Sequence, residues 1–427
     1  MLTRILHNNA QLCTFIDGLD LPVTRPQRQH ITNMADALLM TDAPKTLAEL
    51  QRQFVRTTDP SNIADCLRIA PWSAAPLRRN LLECLIPLAL ERLQARGLPL
   101  RLLVNLDDSL AIKDPDTRHL QGVDWHYDHA AKHRGRQAMQ NSWAYLLCQL
   151  VAGDWNFTFD IQPYLRAKTV RRLNHQRRAQ PRIPYVCNYR LVRGILEDLR
   201  ELLPKGVSVC VQFDSWYASA KLLRYIRRQG WHAVCRVLGN RHLNRQRVDQ
   251  RFLAQQHRRY ARVTISAADG TTTTYLLRDL IGHLNEVPFA VRVLESRRHY
   301  RDHRPVYFVS TDLTLSPQEA MQGYAQRWGC EVDHWYLKQR LGLGDFRVQS
   351  YEAIGKFVMV VRLAWAYLQW RTLLSRHDAH PSTPAEVIRQ HRDEHAADWL
   401  RGACEQVLAS GHIEPVLQRF LHQDAAP

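Results

Sequence analysis

The spacing of apolar side chains predicts helices at the start of the chain. Residues 1–98 carry apolar side chains about every 3.6 residues, as amphipathic helices do. Within them, a helical run over 26–40 and a capping box over Thr46–Glu49, after a break at Pro44, predict two helices joined by a turn. Such a pair is either a helix-turn-helix that contacts DNA or part of a plain helical bundle, and the first is slightly favoured.

Short apolar segments predict that an α/β sheet follows. Strands are predicted over 101–108, 142–151, 156–161, 207–213 and 231–237, and helices over 189–204 and 218–229. Because strands alternate with helices, we expect a sheet with helices packed on its faces. The basic stretch 171–182 predicts a solvated connector with five arginines, which are Arg171, Arg172, Arg177, Arg178 and Arg182.

Residues 238–311 interrupt this alternation with a β-rich segment. The segment begins with the basic run Arg241–Arg247, and 262–267 and 272–277 then predict a hairpin around Asp269–Gly270. Two more strands are predicted over 287–294 and 305–310. Long helices over 317–340 and 351–374 and a helical tail complete the pattern.

The net charge of the chain indicates which kind of molecule it binds. The 427 residues include 58 Lys and Arg against 41 Asp and Glu, a net charge of +17, which favours a polyanion. The N-terminus lacks the pattern of a signal peptide, and no stretch reaches the roughly 18 apolar residues of a membrane span. Nine cysteines are scattered singly, which favours a reducing compartment, so we expect a cytoplasmic protein without a membrane partner.

Three acidic residues stand where an α/β fold gathers reactive groups. Asp108 ends the first predicted strand, Asp214 follows a later one, and Glu331 lies within a long predicted helix. Carboxylate oxygens hold Mg²⁺, and two such ions about 4 Å apart activate an attacking hydroxyl and stabilise the leaving oxygen. A single Asp at a strand end is more often a cap than a ligand, so the three acids are weighed together.

The predicted helix around Glu331 carries a charged stripe. Tyr324, Arg327, Glu331 and Lys338 are separated by three, four and seven residues, which places them within roughly 60° on a helix. Burying these charges unpaired is costly, so the stripe is not a core face. A solvated face with a local ion pair is the alternative, but it does not explain the aromatic residues of the same helix. These are Trp328, Trp335 and Tyr336.

His126, His129 and His133 lie near two aspartates, which raises the question of a transition-metal site. Lys132, Arg134 and further basic residues surround them, and no cysteine is close. We therefore interpret this segment as a basic loop near DNA.

The segment from Tyr324 to Lys338 matches Y-x2-R-x3-E-x6-K without a gap and resembles the signature of prokaryotic insertion-sequence DDE transposases. The flanking sequences YFVSTD at 307–312 and LGLGDFRVQS at 341–350 are similar to that family as well. VQFDSWY at 211–217 resembles the family's second motif, and LDDS at 106–109 resembles its first, which is usually Asp followed by Thr. With the helical N-terminus, the resemblance covers most of the chain.

This resemblance implies an α/β, ribonuclease-H-like mixed sheet flanked by helices, with a β-rich insertion and an all-helical N-terminal domain. The expected regions are a helical DNA-binding domain over 1–98, a catalytic core over 99–237 and 312–378, a β-rich insertion over 238–311, and a helical C-terminal region over 379–427.

The resemblance also implies roles for single residues. Asp108, Asp214 and Glu331 become the catalytic metal ligands, with Asp107 as the runner-up for the first, because Ser109 stands where the family has Thr. Tyr324, Arg327 and Lys338 become contacts to the transposon end. The basic segment adds Arg241 and Arg245 as expected contacts to the DNA backbone.

The expected cofactors are two Mg²⁺ ions, for which Mn²⁺ substitutes. The expected partners are double-stranded DNA, as terminal repeats and as target, and a second copy of the chain that pairs the two ends. We expect the reaction to be cleavage at transposon ends followed by strand transfer, close to the nucleoid of a prokaryotic cell.

One departure from the family concerns aromatic residues. Relatives that cut through a DNA hairpin hold a flipped base on an aromatic residue of the insertion, often Trp, whereas this chain has no Trp between Trp231 and Trp328. Four other rings there are either stacking platforms or strand core residues. They are Tyr275, Phe289, Tyr300 and Tyr307.

Two alternative functions stay open. The first is a related nuclease, or a domesticated relative, that cleaves without strand transfer. The second is a catalytically silent DNA-binding regulator on the same scaffold, against which the intact acids and the intact charged stripe argue.

Overall fold

A computed structural model gives the fold of the chain. It describes residues 4–55, 59, 61–128, 131, 138–177, 181–255, 257–266, 271–302, 304–375, 382–414, 416 and 417.

Helices precede the sheet, as the apolar spacing predicts. They are α1 (Ala10–Gly18), α2 (Arg25–Met40), α3 (Leu47–Arg52), α4 (Ser61–Arg68) and α5 (Ala74–Ala95). The predicted helix pair corresponds to α2 and α3. The side chain of Thr46 accepts a hydrogen bond from the backbone N–H of Glu49 (3.2 Å) and so begins α3 at the predicted position.

The core strands form one side of a mixed sheet. They are β1 (Arg101–Ile112), β2 (Asp124–Tyr127), β3 (Met139–Ala152), β4 (Trp155–Pro163), β5 (Ser208–Phe213) and β6 (His232–Val237). β1 pairs antiparallel with β3 and parallel with β5, which pairs parallel with β6. This mixed α/β arrangement is consistent with a ribonuclease-H-like fold.

Helices α6 (Ala167–Gln176), α7 (Asn188–Leu202) and α8 (Ala220–Arg228) connect these strands. The prediction of a connector over 171–182 is wrong in its first half, which is helix α6. Val170 and Leu173, three residues apart, are buried by this helix, and the excess of arginines hid that spacing. The sequence also gave no sign of β2.

The β-rich segment continues the core sheet. It contains β7 (His242–Leu243), β8 (Gln246–Arg247), α9 (Val248–Ala254), β9 (Ala261–Ser266), β10 (Thr272–Gly282), β11 (Val291–Arg297) and β12 (Val306–Ser310). Across the described sheet the order is β2, β3, β1, β5, β6, β12, β11, β10, β9, and β4 also pairs with β3. The predicted hairpin of β9 with β10 is present, and its turn lies outside the described residues.

One strand of this segment begins later than predicted. The prediction was 287–294, whereas β11 starts at Val291. Glu286 has a φ of 63°, and the N–H of Val287 donates to Leu284 O at 3.0 Å. This turn and the following Pro288, which lacks a donor, delay the strand.

The segment predicted as one helix over 317–340 is divided into four parts. They are α10 (Pro317–Ala325), a 3₁₀ turn (Gln326–Trp328), α11 (Gly329–Trp335) and a π-helical turn (Tyr336–Arg340). The long helix α12 (Tyr351–Leu374) agrees with its prediction, and α13 (Pro384–Ser410) follows it. Among the helices of the described residues, none has the length and apolar character needed to cross a membrane.

A buried ion cluster joins the first helices to the sheet. Asp160 of β4 is 1% exposed, and its carboxylate lies 2.6 Å from Arg78 of α5 and 3.5 Å from Arg362 of α12. Arg78 also contacts Asp198 of α7. Since a large hydrophobic cluster surrounds the same elements, helices and sheet share one core.

Replacing Asp160 tests this junction. Asp160→Asn leaves the buried Arg362 without its carboxylate, so we expect a loss of about 3–5 kcal/mol in the free energy of unfolding, measured by urea denaturation. Glu197→Gln, which removes the exposed Arg193–Glu197 pair of α7, is the control and should leave the free energy of unfolding almost unchanged, because solvent screens this pair. Equal effects of the two changes would contradict a structural role for the cluster.

Candidate active site

Strand β1 directs its neighbouring side chains to opposite faces of the sheet. Its register with β3 is continuous from Leu103 to Ile112, so the alternation is regular. Asn105 donates to the carbonyl of Gln326 (3.4 Å), which marks the face towards the 3₁₀ turn and α11. Asp107, two residues on, shares this face, whereas Asp108 points to the other.

Asp107 contacts the helical segment that carries Glu331. Its carboxylate lies 3.3 Å from Arg327 Nη1 and 3.5 Å from His334 Nε2, and its side chain is 14% exposed. Arg327 and His334 flank Glu331 in sequence. Asp107 is therefore on the same side of the sheet as the last predicted acid.

On the other face of β1, Asp108 borders a cleft of about 590 Å³ together with Asp214 and Tyr217. Asp108 is reached by solvent there, but the surrounding protein removes most of its hydration. Desolvation, with a further contribution from the carboxylates of Asp107 and Asp214, raises the pKa of Asp108 to about 6.

Asp214 follows β5 directly. Asn105 of β1 stands opposite Gln212 of β5, so Asp107 and Asp214 each lie two residues beyond an aligned pair. The N–H of Trp216 donates to Asp214 Oδ1 (2.9 Å), which holds the carboxylate at the strand end. Burial raises the pKa of Asp214, and the carboxylate of Asp107 adds to that effect.

Glu331 lies on the exposed side of α11. It borders a cleft of about 550 Å³ together with Tyr275, Arg327 and Trp328. Among the described residues, no trio containing Asp107, Asp108, Asp214 or Glu331 brings one ligand atom of each within 4.8 Å. The structure therefore brings the acids to one region of the sheet edge without closing them on a single point.

A buried polar network lies under α11. Gln149 of β3 accepts from Asn105 (2.9 Å) and donates to Asp333 Oδ2 (2.9 Å), to which Thr158 donates as well (2.6 Å). A Cβ on Gly329 would lie 2.8 Å from the amide of Gln149, so a larger residue would displace this amide from its hydrogen bonds. The network fixes the helix that carries Glu331, and no local pattern of residues indicated it.

Three predicted DNA contacts are engaged with protein groups. Lys338 Nζ donates to Ser109 Oγ (2.6 Å), and Arg327 Nε donates to the hydroxyl of Tyr324 (3.4 Å). Tyr324 also packs edge-on against Phe308. All three therefore lie beside β1 or the cleft of Glu331.

The two arginines predicted from the basic segment lie near a tight hairpin. Arg245 is exposed in the two-residue turn between β7 and β8, with a φ of 68°, and Arg241 precedes β7 and is half-buried. In the other basic stretch, Arg177 pairs with Glu352 and its side chain is 4% exposed. Arg172 donates to the carbonyl of Val123 (2.9 Å), so these two arginines are not free for phosphates.

The segment predicted as a basic loop around His126, His129 and His133 is a strand in its first part. His126 is buried in β2, and desolvation lowers its pKa to about 4. His129 and His133 lie outside the described residues.

The prediction that Asp108 ends the first strand is wrong, because β1 continues to Ile112 by pairing with β3, whereas its pairing with β5 stops at Asn105. Fold and acids together define a mixed α/β protein with carboxylates just beyond the parallel pairing of β1 with β5. A family model described as DDE superfamily endonuclease matches residues 17–274, and one described as transposase DDE domain matches 191–368. A search of the curated proteins returned no match. The first match covers more than half of the chain, so the chain belongs to the DDE superfamily of endonucleases. These matches indicate an enzyme of the nuclease and transposase class with a DNA substrate.

The buried Asp333 predicts how stability changes with pH. Burial, opposed by hydrogen bonds from Thr158 and Gln149, raises the pKa of Asp333 to about 7. Between about pH 4 and 7 the folded state therefore keeps a proton on Asp333 that the unfolded state has lost. The contribution of this proton to the free energy of unfolding is complete below about pH 4 and disappears as pH rises through about 7. The free energy of unfolding of the wild type should therefore fall by a few kcal/mol between these pH values, and Asp333→Asn should remove this fall. Urea denaturation at several pH values measures both.

The exposed Asp116→Asn is the control for that measurement and should leave the pH curve unchanged. A wild-type curve that rises between about pH 4 and 7, with no change in Asp333→Asn, would contradict a protonated Asp333.

Proposed function

We propose that this protein is a DNA transposase of a prokaryotic insertion sequence, which cuts at the transposon ends and joins them to target DNA. The observation that carries the proposal is the contact between β1 and the helix of Glu331, where Arg327 pairs with Asp107 and Lys338 donates to Ser109. Residues matching a transposase signature thus lie beside the first acidic motif. We further propose that two copies pair the two DNA ends, near the nucleoid.

Asp107 replaces Asp108 in this proposal as the first acidic ligand. Alternation along β1 places Asp107, not Asp108, on the face of Glu331, and its aligned position beside Asp214 supports the same choice. Ser109 lies on that face too, because it is two residues beyond Asp107. The sequence analysis chose Asp108 because Ser109 follows it directly. That choice did not consider which face of the strand each side chain occupies.

The donor set fits divalent cations. Desolvation raises the pKa of Asp214, and the carboxylate of Asp107 adds to that effect, so a cation bound between them would relieve the repulsion. Hard oxygen donors suit Mg²⁺ or Mn²⁺. We propose that Asp107, Asp214 and Glu331 hold two such ions, which, when bound, activate the attacking water or 3′ hydroxyl and stabilise the leaving oxygen.

Cationic side chains around the acids position the substrate in this proposal. Arg327 and Lys338 would transfer their contacts from Asp107 and Ser109 to phosphates of the transposon end, since charge-assisted bonds to phosphate are strong. Tyr324, held by Arg327, would touch the same strand. Arg245 at the β7–β8 turn would contact the backbone farther along.

Aromatic rings at the cleft of Glu331 offer a place for an unstacked base. Tyr275 of the insertion borders that cleft, as does Trp328, which is 69% exposed. Tyr307, by contrast, is buried against Phe252. If the second strand is cut through a hairpin, Tyr275 and Trp328 are the rings that would stack the flipped base.

Conservative substitutions of the acids test the chemistry. Asp107→Asn, Asp214→Asn and Glu331→Gln should each reduce Mg²⁺-dependent cleavage by several orders of magnitude while sparing DNA binding, because each removes a ligand charge. Cleavage would be measured on DNA carrying the terminal sequences that flank the gene.

Asp108→Asn is the matched control, because it removes the neighbouring carboxylate on the opposite face, and it should retain substantial activity. Inactive Asp108→Asn with active Asp107→Asn would restore the assignment made from sequence. Cleavage by all four variants would refute the proposed transposase, and absence of cleavage by the wild type would favour a silent regulator. Cleavage without joining of the 3′ end to a second DNA would favour a nuclease.

Salt dependence tests the basic hairpin. If about six phosphates are neutralised, the slope of log K against log salt should be roughly −5, and Arg245→Ala should make it shallower by about 1. Arg193→Ala, an exposed arginine of α7, should leave the slope unchanged. Identical slopes for wild type and Arg245→Ala, measured by fluorescence anisotropy, would exclude a phosphate contact at this residue.

A further inference from the structure

A cluster of three buried side chains lies apart from the acids of the active site. Asp36 of α2, His391 and His395 of α13 are between 0% and 2% exposed. Both imidazole Nε2 atoms lie 2.7 Å from the same oxygen, Asp36 Oδ1. Among the described residues this is the one trio of His, Cys, Asp or Glu whose ligand atoms all lie within 4.8 Å of one another.

The sequence of α13 favours this convergence. His391 and His395 are four residues apart, which places both rings on one face of a helix, towards α2. Spacing of this kind is common among histidine pairs that bind zinc. The carboxylate then comes from a helix more than 350 residues away in the chain.

The surroundings orient the carboxylate. Asp36 Oδ2 accepts the backbone N–H of Asn9 at 3.0 Å, which leaves Oδ1 facing the two imidazoles. Carboxylates whose second oxygen is held by a hydrogen bond in this way are typical of metal ligands.

Hydrogen bonds around Tyr367 bear on the tautomer of His391. The Tyr367 hydroxyl donates to Asn9 Oδ1 (3.4 Å) and accepts from Arg371 (2.9 Å). The Tyr367 oxygen also lies 3.4 Å from His391 Nδ1. In a metal-bound state His391 would carry its proton on Nδ1, within reach of this oxygen, and Nε2 would bind the ion in place of its contact with Asp36.

We propose that Asp36, His391 and His395 form a structural binding site for a divalent transition-metal ion, with Zn²⁺ the best fit. Two imidazoles and one carboxylate suit Zn²⁺ and not Mg²⁺, which prefers oxygen donors. A bound ion would tie α13 to α2 and thereby fasten the C-terminal helix to the first helical layer. This site is separate from the proposed catalytic ions in both ligands and chemistry.

Metal binding to the full chain tests this proposal. Protein stripped with a chelator would receive one equivalent of Zn²⁺ or Co²⁺, with Asp214→Asn and Glu331→Gln present so that the active site does not contribute. We expect one tightly bound Zn²⁺ per chain by native mass spectrometry and visible d–d absorption with Co²⁺. Zn²⁺ should also raise the midpoint of thermal unfolding by several degrees.

Three variants sharpen the test. His395→Asn and Asp36→Asn should lose the Co²⁺ absorption and the thermal shift, whereas His7→Asn, at an exposed histidine that contacts Asp398 of the same helix, should keep both. If a variant fails to fold, X-ray absorption of the Zn²⁺-loaded parent decides, since two nitrogen ligands and one oxygen at about 2.0–2.2 Å are expected. A parent that binds no Zn²⁺ or Co²⁺, or binds it without histidine ligands, would overturn the proposal and leave a hydrogen-bonded Asp–His cluster.

Discussion

Helix α11 is attached to the sheet by hydrogen bonds among buried polar side chains from three different elements. Gln149 of β3 accepts from Asn105 of β1 and donates to Asp333 of α11, both at 2.9 Å, and each of the three is at most 1% exposed. An unpaired amide or carboxyl at this depth costs roughly 1–3 kcal/mol, so every partner depends on the others. Gly329 lets the helix begin close enough to form these bonds. The consequence is a fixed distance and angle between β1 and Glu331, on which the whole candidate site depends.

Sequence patterns predicted the parts of the site that depend on local spacing. The motif from Tyr324 to Lys338, the strand that precedes Asp214 and most other core strands along the chain follow from sequence patterns, because each is decided by neighbours in the chain. The choice between Asp107 and Asp108 is different, since it depends on which face of β1 meets α11. Likewise, the close approach of Gly329 to Gln149 joins the predicted 317–340 helix to a strand about 180 residues earlier in the chain. Contacts of that range leave no local periodic signal.

Continuity of the sheet has consequences for the β-rich segment. β12 pairs with β6 from Tyr307 to Ser310, so the segment extends the core sheet by backbone hydrogen bonds. Tyr275 of β10 thereby reaches the cleft of Glu331 on a rigid element. Asp160 likewise joins α5, β4 and α12 through buried charges. Both junctions connect the core sheet to segments that the sequence presents as separate regions.

Two donor sets in one chain select different cations by their chemistry. The acids at the sheet edge offer only oxygen, remain open to solvent and repel one another, which suits hard, hydrated ions that exchange with substrate. Asp36, His391 and His395 offer two nitrogens and one oxygen in a site closed to solvent, which suits an ion that is held permanently. Mg²⁺ binds imidazole nitrogen weakly, and Zn²⁺ gains little binding energy from widely spaced carboxylates that compete with water. Ligand type and burial therefore make the two proposed sites chemically independent. Removal of the structural ion by a chelator would leave the acids at the sheet edge in place, and the packing of α2 on α12 is one connection between the two sites.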